Sequence, residues 1–432
     1  MDNTGAILRR SEKLLAICDC NNFFVSCERL FRPDLEGVPV VVLSSNDGVV
    51  ISRSNEVKAL GVKMGEPYFR VRPFLKSRGT TVFSANFHLY EEISARVMAV
   101  LKRCAPVMEV YSIDEAFLEL PPAGRESPAS WGRSLRRMVL RETGIPLSVG
   151  VAATKTLAKL AVERGKKDPR LEGAMALLPE DEPGGFLDSF PVGDVWGVGR
   201  RWGRLLEGKG LSTARRLRDA DDEWIGKHMG IRGLRTVWEL RGVRCFAVEE
   251  RERPPQSIRS SRSFASSIRD MESLSEAVEE FTLTAGRRLR EQRSMAGVLT
   301  VGIFTSRFRE PFYGRRVKIP LGRPTDSDGR LIGAALKGLA AIYRRGYAYD
   351  KAEVTLEELS SASMIQMGLF DRPDDRSGIL SRIADRINRE TGRQILRPGA
   401  LTGEGAWRPR RDRHSGIRIE DLDGIPSVPA LR

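Results

Sequence analysis

Three acidic side chains lie at the ends of short apolar runs, where a carboxylate needs a partner. Asp19 follows the apolar residues 14–18, and Asp114 and Glu115 interrupt the β-prone run 110–118. Burying a carboxylate at the end of a strand is costly unless it is paired or binds a cation. Carboxylates suit Mg²⁺, and two ions about 3.5–4 Å apart can hold both ends of an in-line phosphoryl displacement. The three residues therefore predict a two-metal site, where one ion activates a 3′-hydroxyl and the other neutralises a triphosphate.

The competing interpretation of the acidic pair is an ordinary surface turn. Adjacent strand residues point to opposite faces, so Asp114 and Glu115 can serve one site only if the chain bends between them. A lone Asp-Glu pair often matches by chance, but the apolar surroundings and Asp19 upstream favour the metal site. We therefore expect a strand–turn–strand at the pair, with Asp19 on a neighbouring strand.

Polar and basic side chains that could hold a nucleotide follow a predicted strand. Residues 52–58 open a helix after that strand, and Lys166 and Lys167 end a later helix. Helix N-termini and basic side chains both attract phosphate. The alternative is that these lysines lie on the surface without a specific role. Phe23 and Phe24 follow Asp19, and one of them could pack under the sugar and exclude a 2′-hydroxyl, although core packing explains Phe23 at least as well.

The elements that must position these residues alternate between strands and helices up to about residue 180. Such alternation builds an α/β sheet layer. Composition changes at 181–191 and again at 251–255, and the stretch 191–250 between them contains no convincing strand. Residues 257–357 follow a strand–helix–strand–strand–helix–strand pattern, which predicts a four-stranded sheet with helices on one face and the other face open. The stretch from about 359 is polar, Arg-rich and low in periodicity.

Charge and composition limit the class of protein. The chain has 432 residues, a net charge of +14 and a pI near 9.8, which indicates an acidic partner, nucleic acid first and anionic membrane second. A simply basic, solvated surface is the alternative. Five scattered cysteines and three dispersed histidines argue against a disulfide framework and a zinc site. The absence of a signal-peptide layout and of a long apolar run predicts a soluble, cytoplasmic protein.

Several longer runs resemble the Y-family DNA polymerases. The residues that carry the resemblance are 18–28, 52–61, 111–117 and 149–159. Residues 31–35, 45–48 and 59–65 are most similar to the UmuC branch, which supplies the catalytic subunit of bacterial DNA polymerase V. The runs occur in the family's order over nearly the whole chain.

The resemblance implies a role for individual residues. Asp19, Asp114 and Glu115 match the carboxylates that bind two Mg²⁺ ions, and the backbone carbonyl of Cys20 matches a further metal ligand. Phe24 matches the steric gate against ribonucleotides, where many UmuC-like chains have Tyr. The residues that match contacts to the incoming triphosphate are Ser52, Asn55, Lys58 and Lys166. Lys58 stands where some relatives have Arg, so it offers a point charge rather than a planar fork.

The resemblance also implies an α/β and α+β multidomain fold, the Y-family right hand with a little finger and a C-terminal tail. The palm would span residues 1–190 with a fingers insertion at 34–90, the thumb 191–250, the little finger 256–358 and the tail 359–432. A helix–hairpin–helix turn in the thumb would offer backbone N–H groups to DNA phosphates, and the open sheet face of the little finger would follow the duplex. The expected DNA-binding residues are Gly197, Gly199, Arg259, Arg262, Arg307, Arg309, Arg315, Arg316 and Lys318.

The implied function is error-prone, template-directed DNA synthesis past lesions, with primer-template DNA and dNTPs as substrates. Gln366, Leu369 and Phe370 lie in a pentapeptide that resembles the sliding-clamp motif of bacterial polymerases, and a UmuD′ dimer and RecA are further expected partners. Three alternatives remain open at this point. They are a stand-alone DinB-like polymerase IV, a non-catalytic scaffold tethered to the clamp, and a nucleotide cyclase, which also uses a two-metal palm.

Overall fold

The computed structural model describes residues 13–120, 126–178, 181, 184–250, 254–363, 375–391, 395–396, 407–408 and 410–417. The chain divides into two compact units. The first unit comprises residues 1–43, 49–252 and 413–432, and the second comprises residues 44–48 and 253–412. The main division therefore falls inside the 251–255 stretch that the sequence marks as a boundary. No helix among the described residues is both long and apolar enough to cross a membrane.

The first unit contains eight strands and ten helices among its described residues. The strands are β1 (Leu15–Cys20), β2 (Val40–Leu43), β3 (Val50–Arg53), β4 (Thr81–Ser84), β5 (Met108–Val110), β6 (Glu115–Glu119), β7 (Leu147–Ala152) and β8 (Ala174–Leu177). The helices are α1 (Phe23–Phe31), α2 (Asn55–Ala59), α3 (Tyr68–Ser77), α4 (Phe87–Lys102), α5 (Pro128–Thr143), α6 (Lys155–Lys167), α7 (Gly184–Asp188), α8 (Arg200–Gly208), α9 (Ala214–Arg218) and α10 (Asp222–Leu240).

A five-stranded sheet in the order β5-β6-β1-β7-β8 forms the centre of this unit. β1 pairs antiparallel with both β6 and β7, which makes it the middle strand. Its side chains alternate between two cores, because Ala16 and Cys18 pack with α4 and α5 whereas Leu15 and Ile17 pack with α6. Asp19 follows Leu15 and Ile17 in the alternation, so its carboxylate lies on the face of the sheet that α6 covers.

A second sheet, in the order β3-β2-β4, carries α2 and α3. The sequence predicts β2, β3 and α2, but α3 and β4 are not apparent from it. In α3, Phe69 and Phe74 are exposed and Pro73 lies inside the helix, so its apolar residues do not follow a single stripe. β4 has only four residues, which is too short for a clear alternation.

Residues 184–250 are helical, as the sequence predicts, and the described part of this stretch contains no strand beyond an isolated bridge between Pro191 and Thr213. The buried side chain of Glu239 ties α10 to the start of α6. Its carboxylate accepts hydrogen bonds from the backbone N–H groups of Thr156 (2.9 Å), Cys245 (2.9 Å) and Phe246 (3.1 Å). A buried carboxylate is stable here because backbone donors satisfy it.

The second unit has the predicted strand–helix–strand–strand–helix–strand order. Its elements are β9 (Ser257–Ile268), α11 (Met271–Glu291), β10 (Ser294–Thr305), β11 (Gly314–Thr325), α12 (Asp328–Ile342), β12 (Tyr349–Ser361) and α13 (Asp375–Glu390). The sheet order is β11-β10-β12-β9, and α11 and α12 pack on one of its faces. The opposite face carries alternate residues of the four strands and is not covered by these helices.

The expected C-terminal tail contains ordered structure that its composition does not reveal. Helix α13 is tied to the second unit through Asp385, which pairs with Arg290 at 2.5 Å. Trp407 is buried in the core of the same unit beside Phe281. Residues 413–417, here called the C-terminal strap, belong to the first unit, where His414 forms a parallel bridge with Ser84 of β4.

Candidate functional site

Two of the three predicted carboxylates lie side by side. Asp19 of β1 and Glu115 of β6 are direct cross-strand partners, and both side chains lie on the face of the sheet that carries Ile17 and Phe117. Burial raises the pKa of Asp19 to about 7; Lys166 opposes this shift and the neighbouring Glu115 adds to it. Two partly buried acids on paired positions of adjacent strands create a site that favours a cation or a proton.

The third carboxylate lies at the bend that the sequence requires. β5 ends at Val110 and β6 begins at Glu115, so Asp114 lies in the turn between them. Its backbone carbonyl accepts a hydrogen bond from the Cys20 amide at 2.9 Å, which fixes the turn against the end of β1. Its carboxylate accepts a 2.6 Å hydrogen bond from the Ser112 hydroxyl. The backbone of Asp114 therefore lies next to the end of β1 that carries Asp19, while its carboxylate is turned toward Ser112.

Lysines of α6 hold the two paired acids. Lys159 contacts both carboxylate oxygens of Glu115 at 3.0 Å, and Lys166 contacts Asp19 at 2.7 Å. Burial lowers the pKa of Lys166, but Asp19 and Glu163 outweigh it and the net pKa is raised. Lys159 was not singled out from the sequence. The intervals of four and seven residues among Lys155, Lys159 and Lys166 would have placed these lysines on one helix face.

A cavity of about 360 Å³ opens beside the two paired acids. Its walls include Asp19, Glu115, Lys159 and Trp196. The indole N–H of Trp196 donates to the Tyr111 hydroxyl at 3.2 Å, and the ammonium of Lys159 lies 4.7 Å from the centre of the Tyr111 ring. These aromatic residues, which the sequence did not single out, complete the wall around the lysine and the acids.

The donor chemistry at this point suits a hard divalent cation. Among the described residues, no cluster of three or more His, Cys, Asp or Glu side chains is arranged as a metal site. Asp19 and Glu115 nevertheless supply partly buried oxygen donors beside a cavity, and burial, which raises the pKa of Asp19, disfavours its carboxylate unless a cation is near. The residues present therefore fit a divalent ion.

The predicted triphosphate residues lie near the same acids. Burial lowers the pKa of Lys58, and the charges of Lys166 and Arg53 lower it further, whereas Glu163 and Asp19 act in the opposite direction. This pattern places Lys58 among the charges around Asp19. The structure thus brings the lysines predicted from two distant parts of the chain to one end of the acidic pair.

Asn22 connects the other two predicted nucleotide residues to the first helix. The Ser52 hydroxyl donates to the Asn22 carbonyl at 3.4 Å, and the Asn22 side chain donates to the Asn55 amide oxygen at 3.1 Å. Asn22 has a φ of 49°, a left-handed conformation that asparagine adopts more readily than most residues. Sequence reasoning missed Asn22, whose position after Cys20-Asn21 gives no independent signal.

The two neighbouring phenylalanines have different environments. Phe23 is 3% exposed and packs in the core, so the structure favours the packing interpretation over a role in the site. Phe24 is half-buried and stacks on Tyr90 with ring centroids 4.5 Å apart and an interplanar angle of 14°. The Tyr90 hydroxyl donates at 2.6 Å to the fully buried Glu28. Phe24 therefore packs on the ring of Tyr90, whose position is fixed by the hydrogen bond to Glu28.

The predicted DNA-contact residues of the second unit divide between the two faces of its sheet. Strand alternation places Arg259, Arg316 and Lys318 on the open face. Arg262 and Arg315 lie on the opposite series, which carries the apolar residues packed against α11 and α12, so the expectation that they line the open face is not met. The loop between β10 and β11 carries Arg307 and Arg309.

Acidic residues of β12 accompany the basic residues of the open face. Glu353 pairs with Arg259 at 2.7 Å and with Arg316 at 2.5 Å, and Glu357 pairs with Lys318 at 3.2 Å. Sequence reasoning did not foresee these pairs, because they join residues of separate strands. The clamp residues Gln366, Leu369 and Phe370 lie outside the described residues.

The two predicted glycines of the 191–250 stretch lie just before α8. Gly197 has a φ of 90°, which favours glycine, and Gly199 caps the helix. Both are exposed, whereas Val198 between them is buried. The first backbone N–H groups of α8 have no partner within the helix, and they follow an exposed glycine at its N-cap.

Comparison with known proteins agrees with this geometry. Residues 18–163 match the model of the impB/mucB/samB family, and residues 255–369 match the model of its C-terminal domain. Protein ImpB of Salmonella typhimurium is 39% identical over 420 residues, which cover 96% of this chain and 99% of ImpB. Protein UmuC of the same species is 39% identical over 92% of this chain and 96% of UmuC. This chain belongs to the UmuC branch of the Y-family.

Members of other Y-family branches are more distant in sequence but share the fold. DNA polymerase IV of Desulfatibacillum aliphaticivorans is 29% identical over 92% of this chain and 98% of that protein. A solved Y-family DNA polymerase chimera of Dbh and Dpo4 superposes with a TM-score of 0.68 at 22% identity, covering 81% of this chain and 99% of the chimera. The multidomain fold expected from the sequence is thereby confirmed, and family membership implies dependence on divalent metal ions.

Proposed function

We propose that this UmuC-branch chain is an error-prone, template-directed DNA polymerase that adds dNTPs to a primer 3′-end during translesion synthesis. The observation that carries the proposal is the cross-strand pair of Asp19 and Glu115 with Asp114 in the adjoining turn. Carboxylates that converge beside a cavity are the equipment for metal-assisted phosphoryl transfer. Whole-length similarity to UmuC-type proteins and to DNA polymerase IV supports the same reaction.

The acidic residues would hold two Mg²⁺ ions. Asp19, Asp114 and Glu115 would supply carboxylate oxygens, and Cys20 would add its backbone carbonyl. When bound, the ions lower the pKa of the primer hydroxyl and neutralise charge on the triphosphate and the leaving pyrophosphate. Lys159 keeps Glu115 in place across the sheet face, since it contacts both of its oxygens.

The lysines around the acids would bind the triphosphate. Lys166 pairs with Asp19 at 2.7 Å in the structure and lies within the charge environment of Lys58. An arriving triphosphate is the stronger anionic partner for an ammonium, so Lys166 would exchange Asp19 for phosphate and free that carboxylate. Ser52 and Asn55, which Asn22 tethers to α1, would complete the phosphate contacts.

Phe24 would act as the steric gate against ribonucleotides. Its ring is supported by Tyr90, and the Tyr90–Glu28 hydrogen bond keeps that support from rotating away. A rigid aromatic wall under the sugar rejects a 2′-hydroxyl by contact rather than by hydrogen bonding. We assign Phe23 to the core and not to the gate.

The remaining parts of the chain would hold DNA and partners. The palm, fingers and thumb would lie in the first unit, and the second unit would be the little finger. Gly197 and Gly199 would offer backbone N–H groups to phosphates, and Arg259, Arg316 and Lys318 would face the duplex. Gln366, Leu369 and Phe370 would bind the sliding clamp, with UmuD′ and RecA as further partners, in the cytoplasm where the DNA lies.

The UmuC-type assignment is preferred to a DinB-like polymerase IV because identity is 38–39% to the UmuC group and 29% to the polymerase IV sequences. A scaffold without activity would have no need for two partly buried acids beside a cavity, where burial raises the pKa of Asp19. A nucleotide cyclase would have no need for the Arg-bearing second unit.

Primer extension tests the proposal. Asp114→Ala and Glu115→Ala should each abolish primer extension in Mg²⁺, because each removes a carboxylate from the site, while binding to primer-template DNA stays within about twofold of wild type. Lys318→Ala, which alters a basic residue outside the acidic site, is the matched control and should retain extension when DNA is saturating. Persistent extension by either acidic variant would refute the assignment.

A further inference from the structure

A second cleft, separate from the acidic site, lies beside the edge strand β4 of the three-stranded sheet. Its volume is about 580 Å³, within the range of ordinary ligand sites. Three parts of the first unit that are distant in sequence form its walls: the end of α1, the α3–β4 region and the C-terminal strap. The lining residues are Arg32, Tyr68, Arg72, Lys76, Thr80, Val82, Phe83, Arg413, His414 and Ser415.

The cleft is strongly basic. Arg32, Arg72, Lys76 and Arg413 line it together with His414, and no carboxylate of the described residues does. Arg32 is held by Asp34 through two hydrogen bonds of 2.8 and 2.7 Å. Within the described part of the chain, Arg72 and Lys76 form no ion pair. Arg72 and Lys76 therefore carry positive charge into the cleft that no described carboxylate pairs with, and this favours an anionic ligand.

The C-terminal strap gives the cleft a fixed wall. The Ser84 amide donates to the Arg413 carbonyl at 3.0 Å, and the Arg413 amide donates back to the Ser84 hydroxyl at 3.0 Å. The buried Asn86 side chain donates to the carbonyl of Ile417 at 3.0 Å. The Arg413 guanidinium lies 5.2 Å from the centre of the Tyr68 ring. The strap is therefore tied at both of its ends.

The cleft is distinct from the proposed triphosphate site. Ser52 belongs to β3, and Asn55 and Lys58 belong to α2, which follows β3. Since the sheet order is β3-β2-β4, the cleft borders the opposite edge of the sheet, two strand spacings or about 10 Å away. An anion bound here would not be the incoming nucleotide.

We propose that this cleft binds the phosphates of a single-stranded stretch of DNA, which for the proposed polymerase would be template outside the active site. The cations are distributed over three chain segments around an open cleft, an arrangement that suits successive phosphates of a strand better than one compact anion. The volume of about 580 Å³ has room for a short stretch of one strand. Free polyphosphate carries the same phosphate groups and is the alternative anionic ligand for the cleft.

Charge removal on α3 provides the test in the full-length protein. Arg72→Ala with Lys76→Ala removes two cleft cations, both exposed and outside the proposed active site. Arg96→Ala with Lys102→Ala is the matched control, since it removes two exposed charges from α4 that do not line the cleft. Binding of a fluorescent oligo(dT) is measured by anisotropy over a series of KCl concentrations, and circular dichroism checks the fold of each variant.

The cleft variant should bind oligo(dT) roughly tenfold more weakly at low salt. Its slope of log affinity against log salt should be shallower by about 1.4, the value for two contacts on a single strand. The control variant should match wild type in both quantities. Equal behaviour of the two double variants, or no change in the cleft variant, would overturn the proposal.

Direct titration with tripolyphosphate separates the two anionic ligands. If tripolyphosphate binds wild type at micromolar concentrations and the cleft variant far more weakly, while oligo(dT) binds the two proteins equally, the cleft is a site for free polyphosphate and the strand proposal fails. Strand binding is read without nucleotide addition, so its loss is distinguishable from failure of the polymerase proposal. The cleft variant should still extend a primer on a template with a short overhang.

Discussion

At the residue scale, Phe23 and Phe24 are neighbours of the same type whose packing predicts opposite consequences of substitution. Phe24→Ala removes the half-buried ring above Tyr90, so we expect ribonucleotide incorporation relative to deoxyribonucleotide to rise at least tenfold with the fold retained. Phe23→Ala empties a core position and should cost about 3–5 kcal/mol of unfolding free energy. Single-nucleotide incorporation with matched dNTP and rNTP measures the first effect, and urea unfolding measures the second.

The pair serves as its own control, because the two variants delete the same atoms from adjacent positions. An unchanged rNTP to dNTP ratio for Phe24→Ala would show that this ring is not the gate. A stable Phe23→Ala with relaxed sugar selection would reverse the assignment of the two rings.

At this scale, the role of a residue can be predicted from the sequence only where the local pattern of residue types indicates it. Asp19, Asp114 and Glu115 are visible because each interrupts an apolar run, and Lys166 is visible from its resemblance to the family. Glu28 is not visible, because its partner Tyr90 is 62 residues away and only the fold brings them together.

At the element scale, the approach of α6 to the sheet depends on a residue without a side chain. A Cβ atom at Gly150 of β7 would lie 2.3 Å from the carbonyl oxygen of Ala158 and 2.4 Å from the amide nitrogen of Val162. Both are backbone atoms of α6, so the helix itself would have to move. The lysines that pair with Asp19 and Glu115 belong to α6, so their positions depend on the close packing of α6 against Gly150.

Gly150→Ala should therefore destabilise the first unit and impair catalysis together. We expect a loss of about 3 kcal/mol in unfolding free energy, the upper part of the range for overpacking, and a fall in kcat for primer extension. Gly333→Ala in α12 is the control, because a Cβ there meets nothing within 4 Å and alanine favours a helix. If Gly150→Ala matches wild type by urea unfolding and extension rate, close contact of α6 with β7 is not required.

The ion pair between the buried Glu353 and the half-exposed Arg316 in the second unit also depends on a glycine. Glu353 of β12 and Arg316 of β11 are separated by β10, where Gly302 is the partner of both. A Cβ at Gly302 would lie 2.9 Å from the Cγ of Glu353 and 3.1 Å from the Cγ of Arg316. The missing side chain therefore leaves room for the two charged groups to meet across a strand.

The stability of the second unit should depend on pH through Glu353. Burial raises the pKa of this carboxyl, but Arg316 and Arg259 outweigh burial, so the net pKa lies below its ordinary value of 4.5. A lowered pKa means that the stabilisation is present above about pH 4.5 and is lost as the pH falls through the folded-state pKa. Glu353→Gln should thus cost about 1–3 kcal/mol at pH 7 and progressively less as the pH falls from 5 toward 3.

Urea unfolding of wild type and Glu353→Gln at several pH values measures this difference. The exposed Glu310→Gln in the loop before β11 is a control that should leave stability unchanged at every pH. A stability difference that stayed constant between pH 7 and 3 would contradict the role of the ionised carboxylate.

Elements with a clear period are predictable from the sequence, and those that depend on distant partners are not. β1, β7 and α11 follow their apolar patterns closely, since each buries a regular series of side chains. The C-terminal strap has no such pattern, because it is held by hydrogen bonds with Ser84 of β4 and from Asn86. Its place in the first unit follows from tertiary structure alone.

At the scale of the whole molecule, the net charge of +14 indicates an anionic partner but does not say which surface meets it. Strand alternation makes that distinction within β9. Arg259 lies on the open face and Arg262, three residues later, lies on the face that packs against the helices, where its neighbours include Glu280 of α11. The two residues therefore form a natural pair for locating the DNA-binding face.

Arg259→Ala should weaken binding to primer-template DNA and reduce the slope of log affinity against log salt by about 0.9, the value for one phosphate contact on a duplex. Arg262→Ala removes the same charge from the same strand, so the long-range effect of net charge is matched, and its slope should equal that of wild type. Fluorescence anisotropy across a salt series measures both. Equal slopes for the two variants would mean that overall charge, and not the open face of this sheet, attracts the DNA. A lower slope for Arg262→Ala alone would place the duplex on the opposite face, which α11 and α12 cover, and would exclude the orientation proposed for the second unit.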